Sequence, residues 1–200
     1  MSESKRPLAL CGENRALALY RTGTAEALVV AGYWRCVYSP HGEGEVILVR
    51  VDPVDSGLDD ATPHAIYSDN LPMARYIVAT FNQHFQEYQG LGLGALEPPP
   101  ARFFSESHSG SYHRAACHAG PRTIELTWRE IPDRKLLTVP NFPCGDQRFD
   151  LSTVRCPRGA ATLTIDGQPI AGEVRAQRDG EAPQSSAFLA FCETWVGPLD

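Results

Sequence analysis

Long apolar runs are missing from this 200-residue chain, and nothing in it approaches the roughly 20 apolar residues that a membrane-spanning helix needs. The start, MSESKRPLALCGENRAL, has one basic pair but no apolar stretch of signal-peptide length, so a cytoplasmic protein is expected. Positive charge is also scarce. The 18 Lys and Arg are scattered singly against 24 Asp and Glu, giving a net charge of -6 and no basic stripe to track phosphates. Nucleic acid and anionic membrane are therefore set aside as partners. Six cysteines, Cys11, Cys36, Cys117, Cys144, Cys156 and Cys192, contain no Cys-x-x-Cys. That removes the zinc ribbon and the thioredoxin-type site, and buried reduced thiols are expected, although the even count leaves disulfides open. No Gly-x-Ser-x-Gly elbow, phosphate loop or His-Glu-x-x-His helix is present, so the common hydrolase, kinase and zincin readings lack support. Gly90, Gly92 and Ala95 do match Gly-x-Gly-x-x-Ala, but they follow a helical stretch and run into Pro98, Pro99 and Pro100. A dinucleotide fingerprint follows a strand and opens a helix, so no cofactor is expected.

What the chain does contain is β signal. With 42% hydrophobic and 21% charged residues it suits one domain over 1–200, with residues 1–7 reading as a disordered terminus. Residues 26–38 are rich in β-branched and aromatic side chains, and 45–51 follow as a hairpin partner across SPHGEG. Further strands are predicted at 122–131, 135–139, 161–165 before the turn dipeptide Asp166-Gly167, 173–176 and 187–196. One helix is predicted over 71–85, where Leu71, Ala74, Ile77, Val78, Phe81 and Phe85 fall at helical spacing. Asp69 or Asn70 can cap it, and Pro72 is tolerable in its first turn. A mainly β fold of roughly eight to ten strands, an antiparallel sandwich or barrel with one long helix, is the expectation.

Gly32-Tyr33-Trp34 has the Gly-x-Trp form carried on the first barrel strand of lipocalins and related calycin barrels, which the chain resembles in these residues and in its strand pattern. That resemblance implies a lipocalin-like antiparallel β-barrel with the helix covering a side or mouth. It implies that Trp34 closes one end and that the interior takes an apolar or amphipathic ligand. It implies no activity, because such barrels include binders, isomerases, cyclases and hydratases.

Proton-transfer side chains crowd into residues 103–118, FFSESHSGSYHRAACH. Strand alternation puts Glu106, His108, Tyr112, Arg114 and His118 on one side and a serine-rich set with His113 and Cys117 on the other. If Ser109-Gly110 makes a tight turn, the two halves fold together and His108 approaches Tyr112 or His113. Glu106 can orient His108 as a general acid or base, Tyr112 can stabilise developing charge, and Arg114 can hold a substrate carboxylate. Two carboxylates interrupt apolar faces: Glu130 after Ile124, Leu126 and Trp128, and Glu193 between Phe191 and Trp195. Facing an interior, either would be costly unless paired, with a raised pKa. The alternatives are a strand that has reached the rim at Glu130, and an outward Glu193 with Phe188, Ala190, Cys192 and Val196 forming the core face. Trp34, Trp128 and Trp195 suit either a core or a pocket for a flat ligand. A metal would need His64, His84 or Glu130 from other strands, since His108 and His118 stand about 33 Å apart along a straight strand.

The expected function is metal-free general acid/base chemistry, of the isomerase, cyclase or dehydratase/lyase type, on a small apolar organic molecule. His108, Glu106, Tyr112 and Glu130 are its catalytic candidates, and Trp34, Arg114, Trp128 and Trp195 its substrate contacts. A non-catalytic carrier and a structural or partner-binding β-domain are the alternatives, and a homodimer is compatible with each. The direction of residues 103–118 discriminates: an inward Glu106/His108/Tyr112 side means an enzyme, and an inward serine side removes that site.

Overall fold

The computed structural model describes residues 6–52, 64–108, 111–130, 133–179 and 182–197. In chain order the strands are β1 (Leu8–Tyr20), β2 (Ala27–Tyr38), β3 (Gly44–Val51) and β4 (His64–Ser68), then helix α1 (Leu71–Thr80). They continue as β5 (Arg102–His108), β6 (Tyr112–Ala119), β7 (Arg122–Arg129), β8 (Lys135–Cys144), β9 (Gln147–Pro157) and β10 (Ala160–Ile165). The last are β11 (Gln168–Pro169), β12 (Ala176–Asp179), β13 (Ala182–Ser185) and β14 (Ala187–Val196). The protein is mainly β and its strand ladders are antiparallel.

A seven-stranded sheet runs in the order β4-β3-β2-β1-β14-β9-β8, and a five-stranded sheet in the order β11-β10-β7-β6-β5, with β12-β13 as a separate ribbon. Neither large sheet closes on itself. The β4 and β5 edges meet at an isolated bridge between Ser68 and Pro100 and not along a ladder, so among the described residues the expected lipocalin-like barrel is not found. The reason lies in the pairing: β5, β6, β7 and β10 bond to one another and stack on the larger sheet instead of extending it.

The seven-stranded sheet is a middle layer, which explains why β2 and β3 read as near-continuous apolar runs and not as alternating ones. One face, with Leu17, Leu19, Ala31, Ile47 and Leu189, packs on Cys117, Ile124, Leu126, Trp128 and Leu163 of the smaller sheet. The other face, with Val30, Trp34, Leu48, Leu151 and Trp195, packs on Met73, Ala74, Ile77 and Val78 of α1 and on Phe81. Trp34 therefore closes no barrel end; it lies under the helix, 6.0 Å from the Phe81 ring.

Asn70 caps α1 by accepting the Met73 N–H at 3.1 Å, and Pro72 sits in the first turn. The helix stops at Thr80, short of the expected Phe85, and the chain continues through 3-10 turns at Asn82–His84, Gln86–Tyr88 and Leu93–Ala95. Leaving α geometry at Phe81 seats its ring 4.8 Å from Trp195 and 5.3 Å from Phe149, so the apolar period persists although the helix does not. The β2–β3 hairpin forms as expected, and Asp166 and Gly167, both at positive φ, turn β10 into β11.

Strand β1 was not anticipated. It is central, between β2 and β14, yet Gly12-Glu13-Asn14 in its middle has turn composition. Gly12 is there because a Cβ would stand 2.1 Å from the Arg35 carbonyl oxygen of β2. All six cysteines are free thiols, and no described helix is long and apolar enough to cross a membrane. The expected disordered terminus lies largely outside the described residues, as does the turn at Ser109-Gly110.

Candidate functional site

The site is made by a bulge. Along β14, Phe188 and Ala190 face the helical side of the large sheet, while Leu189 faces the smaller sheet. Register with β9 shifts between Phe191 and Thr194, register with β1 shifts between Gly12 and Asn14, and Cys192 takes φ 52°. The extra residue exchanges the two faces, so beyond it the odd-numbered Glu193 and Trp195 lie on the side of Phe188 and Ala190. Both sequence expectations for Glu193 assumed unbroken alternation: the outward one fails, while the inward, paired carboxylate with a raised pKa holds, although on the face opposite Phe191. The carboxylate is 3% exposed and faces the helical layer.

Around it lies a cavity of about 530 Å³ between the large sheet and the 3-10 turns after α1. Tyr20, Val30, Phe85, Phe142, Phe188 and Trp195 supply apolar wall. Asn14 Nδ2 and Trp195 Nε1 both donate to Glu193 Oε1, at 3.2 and 2.8 Å. Oε2 receives no bond from the described residues. Burial pushes the Glu193 carboxyl up to about 7, against the lowering pull of those two bonds and of the Arg155 charge.

Three more polar atoms in the cavity wall are buried with no hydrogen-bond partner among the described residues: Asn82 Oδ1, Tyr88 OH and Arg155 Nε. The Arg155 guanidinium lies 4.1 Å from the centre of the Phe188 ring, and burial lowers its pKa. Gly32, of the Gly-x-Trp triplet, makes room for the Tyr88 hydroxyl, because a Cβ there would stand 3.0 Å from it. His84, half-buried, is at the rim of the same cavity.

The histidine-rich segment forms the β5–β6 hairpin, which pairs His108 with Tyr112 and Glu106 with Arg114. Tyr112 OH donates to Glu106 Oε1 at 2.6 Å, the His108 and Tyr112 rings stack at 6.3 Å, and Arg114 bonds to Glu125. These side chains do come together, but on the outer face of the smaller sheet, where Glu106, His108 and Arg114 are exposed. The inward side is that of His113, Ala115, Cys117 and Ala119, the side expected to be serine-rich. Glu130 is exposed at the end of β7, at the sheet rim. Trp128 is core: it is fully buried between the sheets and its Nε1 donates to Ala16 O at 2.9 Å. Of the residues expected to contact a substrate, Trp195 lines the cavity, while Trp34, Trp128 and Arg114 do not.

Sequence reasoning missed Asn14, Asn82, Tyr88 and Arg155 as a set. Asn14 and Arg155 share their strand face with small or apolar neighbours, a pattern that signals a buried polar residue only once the strand is known to be central. A second cleft, of about 580 Å³, lies at the start of α1 among Arg35, Glu43, Glu45, Asp69 and Asn70. Three of these side chains are engaged: Asp69 accepts the Glu45 N–H at 2.7 Å, Asn70 donates to the His41 and Glu43 carbonyls, and Glu45 accepts the Tyr33 hydroxyl. Among the described residues no group of three or more His, Cys, Asp or Glu is arranged to hold a metal ion. No protein-family model, curated protein or solved structure matches the chain.

Proposed function

We propose that the cavity beneath the 3-10 turns binds a small amphipathic organic molecule and that Glu193 exchanges a proton with it, which places the protein among acid/base enzymes of the isomerase, cyclase or lyase type. The observation that carries this reading is one carboxyl: Glu193 is buried at a cavity wall, held through Oε1, free at Oε2, and raised to about 7. A general acid or base works best with its pKa near the working pH, and an ordinary glutamate is too acidic for that. Asn82, Tyr88 and Arg155 supply the few convergent polar groups that orient a ligand in an otherwise apolar pocket, and Arg155 or Tyr88 can meet charge developing away from the base. The volume lies within the usual range of small-molecule sites.

The aromatic wall also favours a second reading, a carrier that uses the same cavity without turnover. The two separate with 5-nitrobenzisoxazole, a flat carbon acid whose ring opens when a base removes its C3 proton and the N–O bond breaks. Elimination above the buffer rate, rising as pH passes about 7, is expected of the parent protein. Glu193→Gln should lower the rate at least about tenfold, while Glu106→Gln and His108→Ala leave it unchanged. Equal rates for the parent and Glu193→Gln would sink the proton-transfer reading. If both proteins also bound 1-anilinonaphthalene-8-sulfonate equally, the carrier would stand.

A further inference from the structure

The opposite face of the same sheet holds a second polar group, between the two sheets and separate from the cavity. Arg15 and Arg158 are 3% and 1% exposed. Arg15 Nη2 pairs with Glu13, but among the described residues its Nε and Nη1 have no hydrogen-bond partner, and neither do Nε, Nη1 and Nη2 of Arg158. Arg158 is fastened by its backbone: its N–H donates to Ala187 O at 2.9 Å, and its carbonyl accepts from Ser185 Oγ at 2.5 Å. It stands in the short link from β9 to β10, where the chain crosses from one sheet to the other.

His113 of β6, 8% exposed, completes the group from the smaller sheet. Its Nδ1 is bonded to Ser107 Oγ at 2.7 Å, which leaves Nε2 for another partner. Burial and the charges of Arg15, Arg158 and Arg134 push it down to about 4. The Phe191 ring ties Arg15 to His113, the guanidinium 5.9 Å and the imidazole 5.3 Å from its centre, and Arg158 is near enough for its charge to act on His113 and for that of Arg15 to act on it. Of the carboxylates nearby, Glu13 is paired with Arg15 and Glu45 accepts the Tyr33 hydroxyl at 2.8 Å, while Glu130, exposed at the rim, lies against Gly159. Burial opposes the Arg158 charge most; Cys156 offsets part of that, and the charges of Arg134 and Arg15 add to it.

Leaving a buried guanidinium unpaired is strongly unfavourable, and buried donors in folded proteins almost always find acceptors. Cation–π contact with Phe191 and Tyr33 offsets part of this for Arg15, but it satisfies no in-plane N–H. Five unpaired guanidinium nitrogens on two side chains call for one acceptor with several oxygens. We propose that Arg15, Arg158 and His113 form a binding site for a tetrahedral oxyanion group of the phosphate or sulfate type, inorganic or carried on an organic molecule, held between the sheets. Arg134, exposed beside the cluster, marks its solvent side.

The test is thermal unfolding of the full chain in inorganic phosphate against sodium chloride at matched ionic strength. A saturable rise in Tm of several degrees with phosphate alone is expected. Arg158→Met should unfold at a higher temperature than the parent in chloride, because an unpaired buried charge is gone, and should lose the phosphate increment. If that variant retains the whole increment, phosphate is acting as a general stabilising salt and the site is overturned. Should Arg158→Met not fold, the arginine side-chain 15N–1H resonances of the parent decide: two of them shifting saturably with phosphate but not chloride support the site, and none shifting overturns it. Phenyl phosphate binding tenfold or more tighter than phosphate identifies an organic ligand, and no gain identifies the inorganic ion.

Discussion

Glu193 gathers the consequences that belong to single residues. Its folded pKa of about 7 lies above the ordinary carboxyl value, so the folded state holds a proton that the unfolded chain has already lost. The stability this group contributes is therefore complete below about pH 4.5 and lost as pH rises through about 7, on the order of 3 kcal/mol in all. His113 runs the other way: held at about 4, it adds stability as pH climbs towards its ordinary value and loses it as pH falls. The clean measurement is the difference between the parent and Glu193→Gln by urea unfolding from pH 4 to pH 9. The variant should gain on the parent between about pH 4.5 and pH 7 and then level off, and a pH-independent difference would show that the carboxyl is not buried as described. The sequence marked Glu193 as a carboxylate among aromatics, which was enough to flag it but not to say where it points. Glu106, His108 and Tyr112 show the converse: the right residue types at a legible spacing, on a face that looks out.

At the level of elements, the deciding feature is the β14 bulge. Cys192 sits at φ 52°, a conformation glycine adopts freely and β-branched residues resist. Cys192→Gly should keep or raise stability by up to about 1 kcal/mol, and Cys192→Val should lower it by about 1 to 2 kcal/mol. Plain strand propensity would rank the two in the opposite order, so urea midpoints of the pair test the bulge directly. Nothing in AFLAFCETWV announces it. A bulge is a property of two-strand pairing, and it shows only when β14 is laid against β1 and β9 with both registers shifted. Helix α1 is the contrasting case. Its cap, its first-turn proline and its apolar stripe are local, and they were readable; its early end was not, because it depends on where Phe81 finds aromatic partners.

The whole molecule is three layers, a helical segment, a seven-stranded sheet and a five-stranded sheet, and the two ligand sites proposed lie on opposite faces of the middle one. Phe81 joins the helical layer to that sheet and is fully buried, so Phe81→Ala should cost about 3 to 5 kcal/mol. Phe104→Ala, at a ring 57% exposed on the outer face, should stay within about 0.5 kcal/mol. Equal losses in chemical unfolding would contradict the layering. By itself the sequence determined the mainly β class, the β2–β3 hairpin, the start of the helix and the Asp166-Gly167 turn, because alternation, capping and turn chemistry act over a few residues. Only the tertiary structure decided that the sheets stay open, that β1 is central, and that the histidine hairpin faces outward while Glu193 faces a cavity. Those outcomes rest on which strands pair across more than a hundred residues, and local side-chain pattern carries no record of that choice.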